Sequence, residues 1–120
     1  MTPDRRHRTQ RIAARIQALL GEAIPRRVRD PRVGFVTVTG VEVSPDVSHA
    51  VVRVSVMGSD DEKERAMEGL ASARGYLRTR LARTLGLRVA PELHFILDRG
   101  LEHATRIDEL LDRLSHGEKL

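Results

Sequence analysis

Two short runs of β-branched residues, separated by a turn, constrain the fold of this 120-residue chain more than any other feature. Residues 35–43 (FVTVTGVEV) and 49–57 (HAVVRVSVM) are rich in valine and threonine, which favour strands. The Ser44-Pro45-Asp46 sequence between them is a turn signal. Because so short a connection joins antiparallel neighbours, the two runs predict a β-hairpin.

A helix is predicted before this hairpin. Apolar residues from Ile12 to Ala23 recur at helical spacing, which predicts a basic N-terminal helix over residues 5–24. Pro25 is expected to end it, because a proline disfavours the helical conformation of the residue that precedes it.

A longer helical pattern follows the hairpin, over about residues 60–85. Ser59 and Glu62 form a capping-box pattern at its start, and Gly86 suits its end. Gly75 lies in its middle and predicts a kink, since glycine destabilises a helix interior by about 1 kcal/mol relative to alanine.

The last part of the chain predicts a third strand and a final helix. The strand is expected over residues 87–97, with Pro91 confining its start to an edge or a bulge. The helix is expected over residues 101–114. The order α-β-β-α-(Gly kink)-α-β-α predicts a single α+β domain over residues 1–120, with a three-stranded sheet packed on helices in two layers.

Positive charge is concentrated in two blocks, although the net charge is only +4. Residues 1–32 contain nine arginines and three acidic residues, a balance of +6, and residues 71–90 contain five arginines and no acidic residue. Segments 33–70 and 91–120 are net negative. Such local self-repulsion indicates a polyanionic partner, and a solvated arginine-rich surface without a partner is the alternative.

Composition excludes several kinds of site. The aromatic residues are Phe35, Tyr76 and Phe95, too few for a protein that stacks successive bases, so contact with a polyanion has to rest on guanidinium groups and backbone. The absence of cysteine excludes disulfides and thiolate chemistry. The histidines are scattered along the sequence, and His94 is interpreted as a strand histidine rather than a metal ligand.

Catalytic and targeting motifs are absent from the sequence. There is no P-loop, no GxSxG elbow and no GxGxxG loop, so we expect no enzymatic activity, no cofactor and no bound metal. The N-terminus lacks the apolar segment of a secretory signal, and no apolar run approaches the roughly 20 residues of a membrane span. We therefore expect a cytoplasmic protein.

Four motifs at consistent spacing resemble the ribosome-binding factor A family. A DPR turn at 30–32 is followed by VTVTGVEVSPD at 36–46, by ARGYLR at 73–78 and by LRVAPELHFILD at 87–98. The family typically shows each of these pieces in this order, and the resemblance covers about residues 5–115.

The resemblance implies a type II KH-like fold and a bacterial factor that binds free small (30S) ribosomal subunits. It further implies support of late maturation of the small-subunit rRNA, including its 5′ end, with most importance in the cold. Ordinary KH domains clamp nucleic acid with a GXXG loop, whereas this chain has Ala73-Arg74-Gly75 at the corresponding junction. The expected partners are small-subunit rRNA and neighbouring ribosomal proteins, bound by a monomer.

The candidate RNA-binding residues are the arginines of the two blocks and two residues at the predicted kink, because a guanidinium binds phosphate through two parallel hydrogen bonds that it donates. Asp30-Pro31 is interpreted as a structural turn. Two alternatives remain: a generic double-stranded nucleic-acid-binding protein, and a small metal-dependent nuclease using a carboxylate such as Asp98. The candidate residues are Arg8, Arg11, Arg15, Arg26, Arg27, Arg29, Arg32, Arg74, Gly75, Tyr76, Arg78, Arg80, Arg83 and Arg88.

Overall fold

A computed structural model of the chain describes residues 3–98 and 104–117. Four helices and three strands form an α+β arrangement in the described residues, as the sequence predicts. The elements are α1 (Pro3–Arg27), β1 (Val36–Val43), β2 (His49–Val56), α2 (Asp60–Ser72), α3 (Arg74–Leu85), β3 (Glu92–Leu97) and α4 (Ala104–Ser115).

The strands form a mixed sheet in the order β1-β2-β3. β1 and β2 pair in antiparallel fashion, which confirms the predicted hairpin, and the register shifts between Val38 and Gly40. β3 pairs with β2 in parallel, so that His49 lies opposite Glu92 and Val51 opposite His94. The long α2–α3 connection supplies the crossover that parallel strands require.

One face of the sheet packs on α1, α2 and α3 and contains the main core. β2 contributes Val52 and Val54, α1 contributes Ile16 and Leu20, and all four side chains are fully buried. Leu70, Leu77 and Leu81 from α2 and α3 complete this apolar layer.

The opposite face of the sheet is covered by α4. Val51, fully buried, packs there with Ile107, Leu111 and Leu114. The expectation of two layers is therefore wrong. The two faces of β2 are both apolar at its centre, and an apolar residue on each face requires a helix on each side.

α1 does not end before Pro25 as expected but continues to Arg27. Ile24 is almost fully buried in the main core, and this burial holds it in the helical conformation that a following proline disfavours. Pro25 lies in the last turn, where its missing N–H removes one intrahelical hydrogen bond near the end of the helix.

The third strand begins at Glu92 rather than at residue 87. Pro91 directly precedes it and cannot donate to the ladder. The final helix is described from Ala104, and the predicted start over residues 101–103 lies outside the described residues. Within 3–98 and 104–117, no helix has the length and apolar character needed to cross a membrane.

The capping box at the start of α2 is confirmed. The Ser59 hydroxyl accepts a hydrogen bond from the Glu62 amide at 3.2 Å, and the Glu62 carboxylate accepts one from the Ser59 amide at 3.3 Å. Gly86 ends α3 in the left-handed conformation, also as predicted.

Candidate nucleic-acid interface

The first arginine block lies along α1 and the linker that follows it. Arg8, Arg11 and Arg15 are exposed on the N-terminal half of the helix. The last turn and the linker add further exposed side chains, at Arg26, Arg27, Arg29 and Arg32.

The DPR turn after α1 is closed by a bidentate ion pair. The Asp30 carboxylate accepts hydrogen bonds from Arg32 Nε at 3.0 Å, from Arg32 Nη2 at 2.6 Å and from the Arg32 amide at 2.9 Å. These bonds from Arg32 lower the pKa of Asp30 to about 2. Arg32 Nη2 also donates to the Ser72 hydroxyl at 3.2 Å. The turn therefore attaches the linker to the end of α2, and the guanidinium of Arg32 is engaged within the fold.

The linker is attached next to the junction between α2 and α3, since Ser72 is the last residue of α2. The chain bends at Ala73, which caps both helices with φ −86° and ψ −3°. The predicted break between two helical segments is confirmed, but it lies at Ala73 rather than at Gly75, which is in the first turn of α3. The bend is fixed instead by Leu70 and Leu77, fully buried on either side of it.

Gly75 is nevertheless distinctive as a surface position. It is exposed, its backbone has an ordinary helical conformation, and a Cβ built on it would meet nothing within 4 Å. Neither packing nor a special φ requires glycine there. The missing side chain leaves the backbone of the first turn of α3 open beside Arg74 and Tyr76.

Tyr76 and Arg80 form a stacked pair on α3. The Arg80 Cζ lies 5.9 Å from the centroid of the Tyr76 ring, within the range of a cation–π contact. Tyr76 is 46% exposed, so the outer part of its ring remains accessible. The i, i+4 spacing that the sequence shows produces this contact directly.

Arg78 stabilises the fold and is not a free surface arginine. It is half-buried, and its Nε and Nη2 donate to the carbonyl oxygens of Pro91 and Ala90 at 3.1 and 2.7 Å. The guanidinium therefore holds the segment that leads into β3. Arg83 and Arg88, by contrast, are exposed at the end of α3 and just beyond it.

The two arginine blocks meet because α1 and α3 are antiparallel neighbours. Near the start of α1, Arg8 and Arg88 line one groove. Near its end, Arg27 and Arg29 line a second cavity of about 250 Å³ with Tyr76. We call this side of the molecule the α1–α3 face, defined by the exposed arginines of both blocks with Gly75 and Tyr76.

Arg32 is paired with Asp30, but the other exposed arginines of this face have no such partner among the side chains that the structure describes. Among the side chains of residues 7–98 and 107–117, the structure gives no ion pair to the exposed arginines Arg8, Arg11, Arg15, Arg26, Arg27, Arg29, Arg83 and Arg88. The contrast is Arg53 on the α4 side of the sheet, whose Nη2 donates to Glu42 at 2.7 Å. Burial raises the pKa of Glu42, and Arg53 partly opposes that rise.

Sequence reasoning missed two features near this face. Gly69 in α2 packs against the linker, since a Cβ there would lie 2.6 Å from Val33 Cγ2. His49, Glu92 and His94 come together on β2 and β3, although they are scattered in the sequence. The packing of Gly69 had a weak signal in the sequence, a glycine inside a helical pattern. The second depends on the register of a parallel strand pair, which no local pattern encodes.

The fold and the α1–α3 face together define a class: a small KH-like α+β domain with a cationic helical face. A family model described as ribosome-binding factor A matches residues 8–111. The chain belongs to the ribosome-binding factor A family.

Relatives and solved structures agree with this membership. The ribosome-binding factor A of Chloroflexus aurantiacus is 49% identical over 112 residues, which are 92% of this chain and 88% of that protein. The solution structure of a Thermotoga maritima putative ribosome binding factor A superposes with a TM-score of 0.71 at 42% identity, covering 80% of this chain and 92% of that one.

Two Thermus thermophilus structures are also similar. The crystal structure of its ribosome-binding factor A has a TM-score of 0.69 at 30% identity, covering 77% of this chain and 97% of that one. A homology model of that protein, fitted into the cryo-EM map of its complex with the 30S subunit, has a TM-score of 0.62 at 32% identity and covers 73% of this chain and 92% of that one.

Proposed function

We propose that this chain is a cytoplasmic, non-enzymatic assembly factor that binds the free 30S subunit as a monomer and supports late maturation of the small-subunit rRNA, including its 5′ end. The observation that carries the proposal is the α1–α3 face, where exposed arginines from two distant blocks lie together and all but Arg32 lack an ion pair to a described side chain. Family membership and the 30S complex of the Thermus relative support the choice of partner.

Phosphate groups of folded rRNA are the ligands that this face suits. Guanidinium groups donate paired hydrogen bonds to phosphate oxygens, and specificity then comes from the shape in which the rRNA presents its phosphates. The open backbone at Gly75 and the half-exposed Tyr76 ring provide a place where a nucleotide can approach α3 closely. Arg32 and Arg78 position the two segments that frame the face.

A matched pair of charge reversals tests the role of this face. Arg83→Glu removes an exposed arginine of α3, and Arg65→Glu makes the same charge change on α2, in a segment that is net negative. Loss of one charge-assisted phosphate contact is expected to weaken 30S binding about tenfold for Arg83→Glu. Binding by Arg65→Glu is expected to stay within about twofold. Co-sedimentation with purified 30S subunits measures both, and equal weakening would contradict a localised face.

The generic nucleic-acid-binding alternative predicts a different competition. An assembly factor should prefer 30S subunits to an equal mass of double-stranded RNA, whereas a generic binder should be displaced equally by both. The role in rRNA maturation is tested separately. Primer extension across the 16S 5′ end should show precursor accumulating in cells that lack the chain, most strongly in the cold, and Arg83→Glu should restore processing less well than Arg65→Glu.

A further inference from the structure

Three side chains with metal-ligand chemistry meet where β2 and β3 begin. His49 lies opposite Glu92 in the parallel pair, and His94 lies opposite Val51, two residues further along. Because side chains alternate along a strand, His49, Glu92 and His94 all project from the same face of the sheet. One potential ligand atom from each lies within 4.8 Å of the other two.

Two of the three separations between these atoms are close to those of neighbouring ligands on one small cation, and the shorter of the two is also a hydrogen bond between the imidazoles. His49 Nδ1 lies 3.0 Å from His94 Nε2 and 3.7 Å from the Glu92 carboxylate. A tetrahedral Zn²⁺ with bonds of about 2.0–2.1 Å separates its ligand atoms by roughly 3.3 Å. The two observed separations lie on either side of that value.

The cluster is partly buried and leaves one coordination position open to water, while the arginines of the neighbouring groove oppose a bound cation. The His49 side chain is 17% exposed and that of Glu92 is 57% exposed. His94 is also partly buried, so both imidazoles are more enclosed than the exposed Glu92 carboxylate. His49 and Glu92 also line the large groove that contains Arg8 and Arg88, so water can reach the cluster from one side.

The turn before β2 fixes the position of His49. The His49 amide donates to the Ser44 hydroxyl at 3.0 Å, and Ser44 is fully buried. The Ser44 and Ser48 hydroxyls both donate to Asp46, at 2.8 and 2.6 Å. The Glu92 amide donates to the Ser48 carbonyl at 2.9 Å, which ties the start of β3 to the same turn. Two of the three ligands are therefore placed by one hydrogen-bonded unit.

We infer that His49, Glu92 and His94 form a binding site for a divalent transition metal of the Zn²⁺ type, with water as the fourth ligand. Two imidazole nitrogens and one carboxylate oxygen form a donor set that Zn²⁺ takes in proteins, and imidazole also suits Co²⁺. A bound ion would join β2 to β3 beside the groove at Arg8 and Arg88. This inference does not depend on the proposed function, because 30S binding rests on other residues.

Cobalt and zinc titrations of the full chain test the site. Chelator-treated protein titrated with Co²⁺ should develop the visible absorption of tetrahedral coordination, and Zn²⁺ should displace it at one equivalent. His49→Ala and His94→Ala should each weaken Zn²⁺ binding more than tenfold. His7→Ala, an exposed histidine on α1, is the matched control and should bind as the parent chain does.

A second measurement identifies the atoms and guards against unfolded variants. Imidazole ¹⁵N spectra of the unsubstituted chain should report metal coordination at His49 Nδ1 and His94 Nε2 when Zn²⁺ is added. Shifts confined to other histidines, or the absence of Zn²⁺ binding at millimolar metal, would overturn the inference. So would unchanged affinity in a folded His94→Ala chain.

Discussion

Two arginines of α3, Arg78 and Arg83, have different roles in this molecule. Arg78 turns inward and donates to two backbone carbonyls ahead of β3, while Arg83 is exposed on the α1–α3 face. Both carry the same charge and lie in the same block of the sequence. The difference comes from the helical repeat, which directs the Arg78 side chain toward the β3 segment.

This division predicts opposite outcomes for one substitution at the two positions. Arg78→Met leaves the Ala90 and Pro91 carbonyls without their charged donor and should lower the free energy of unfolding by about 2 kcal/mol. Arg83→Met should change it by less than about 0.5 kcal/mol yet weaken 30S binding. Urea unfolding and co-sedimentation measure the two effects. A stability loss at Arg83 equal to that at Arg78 would contradict the assignment.

Asp30 predicts a pH-dependent contribution to stability. Its pKa is lowered from 3.8 to about 2 by Arg32, so the folded state favours the ionised carboxylate. The stabilisation is complete above the unfolded pKa and is lost as the pH falls from about 4 to about 2. Asp30→Asn should therefore be less stable than the parent at pH 7, and the difference should shrink as the pH falls through that window.

Urea titrations of both chains at a series of pH values test this expectation. Because the quantity is a difference between two chains at each pH, acid effects elsewhere in the molecule cancel. A difference that stays constant from neutral to acidic pH would show that the Asp30 charge contributes nothing.

At the scale of elements, the α2–α3 junction shows how packing outweighs local preference. The Ala73 amide donates to the Gly69 and Leu70 carbonyls at 3.1 and 3.0 Å, and its carbonyl accepts from Leu77 at 3.0 Å. Both helices thus share one residue. Helix propensity predicts the bend at Gly75, because glycine is a weak helix former. Burial of leucines on either side places it at Ala73 instead.

Two glycines flanking this junction predict opposite effects of the same substitution. Gly75→Ala adds a methyl group in open space on a helix and should raise the free energy of unfolding by up to about 1 kcal/mol. Gly69→Ala places a Cβ 2.6 Å from Val33 and 3.4 Å from Asp30 Cγ, and should lower it by about 1–3 kcal/mol. Thermal and urea unfolding measure both. A destabilised Gly75→Ala chain would show a constraint that the structure does not contain.

For the whole molecule, sequence patterns predict what is local and miss what depends on distant pairing. Helical and strand periodicity, the capping box and the two arginine blocks are properties of contiguous segments, and the structure contains them. The placement of α4 on the second face of the sheet is not local, since it requires Val51 and Leu111 to meet across half the chain. The approach of His49 to His94 likewise follows from the β2–β3 register.

The union of the two arginine blocks is itself a property of the whole molecule. α1 and α3 are far apart in sequence, but their antiparallel packing brings Arg8 to Arg88 and Arg27 to Tyr76. If both blocks contact the same rRNA, their phosphate contacts should contribute additively to the salt dependence of binding. If one block is only a solvated surface without phosphate contacts, it should contribute nothing to the salt dependence of binding.

Salt titrations of 30S binding distinguish these two cases. For about five neutralised phosphates, log K should fall with log salt at a slope of roughly −4. Arg11→Gln on α1 and Arg83→Gln on α3 should each make that slope less negative by about 1, and the double variant by about 2. Arg65→Gln on α2 is the control and should leave it unchanged. If Arg11→Gln keeps the slope of the parent chain while Arg83→Gln makes it less negative, Arg11 makes no phosphate contact, and the expectation that both blocks contact the rRNA is contradicted at this position of α1.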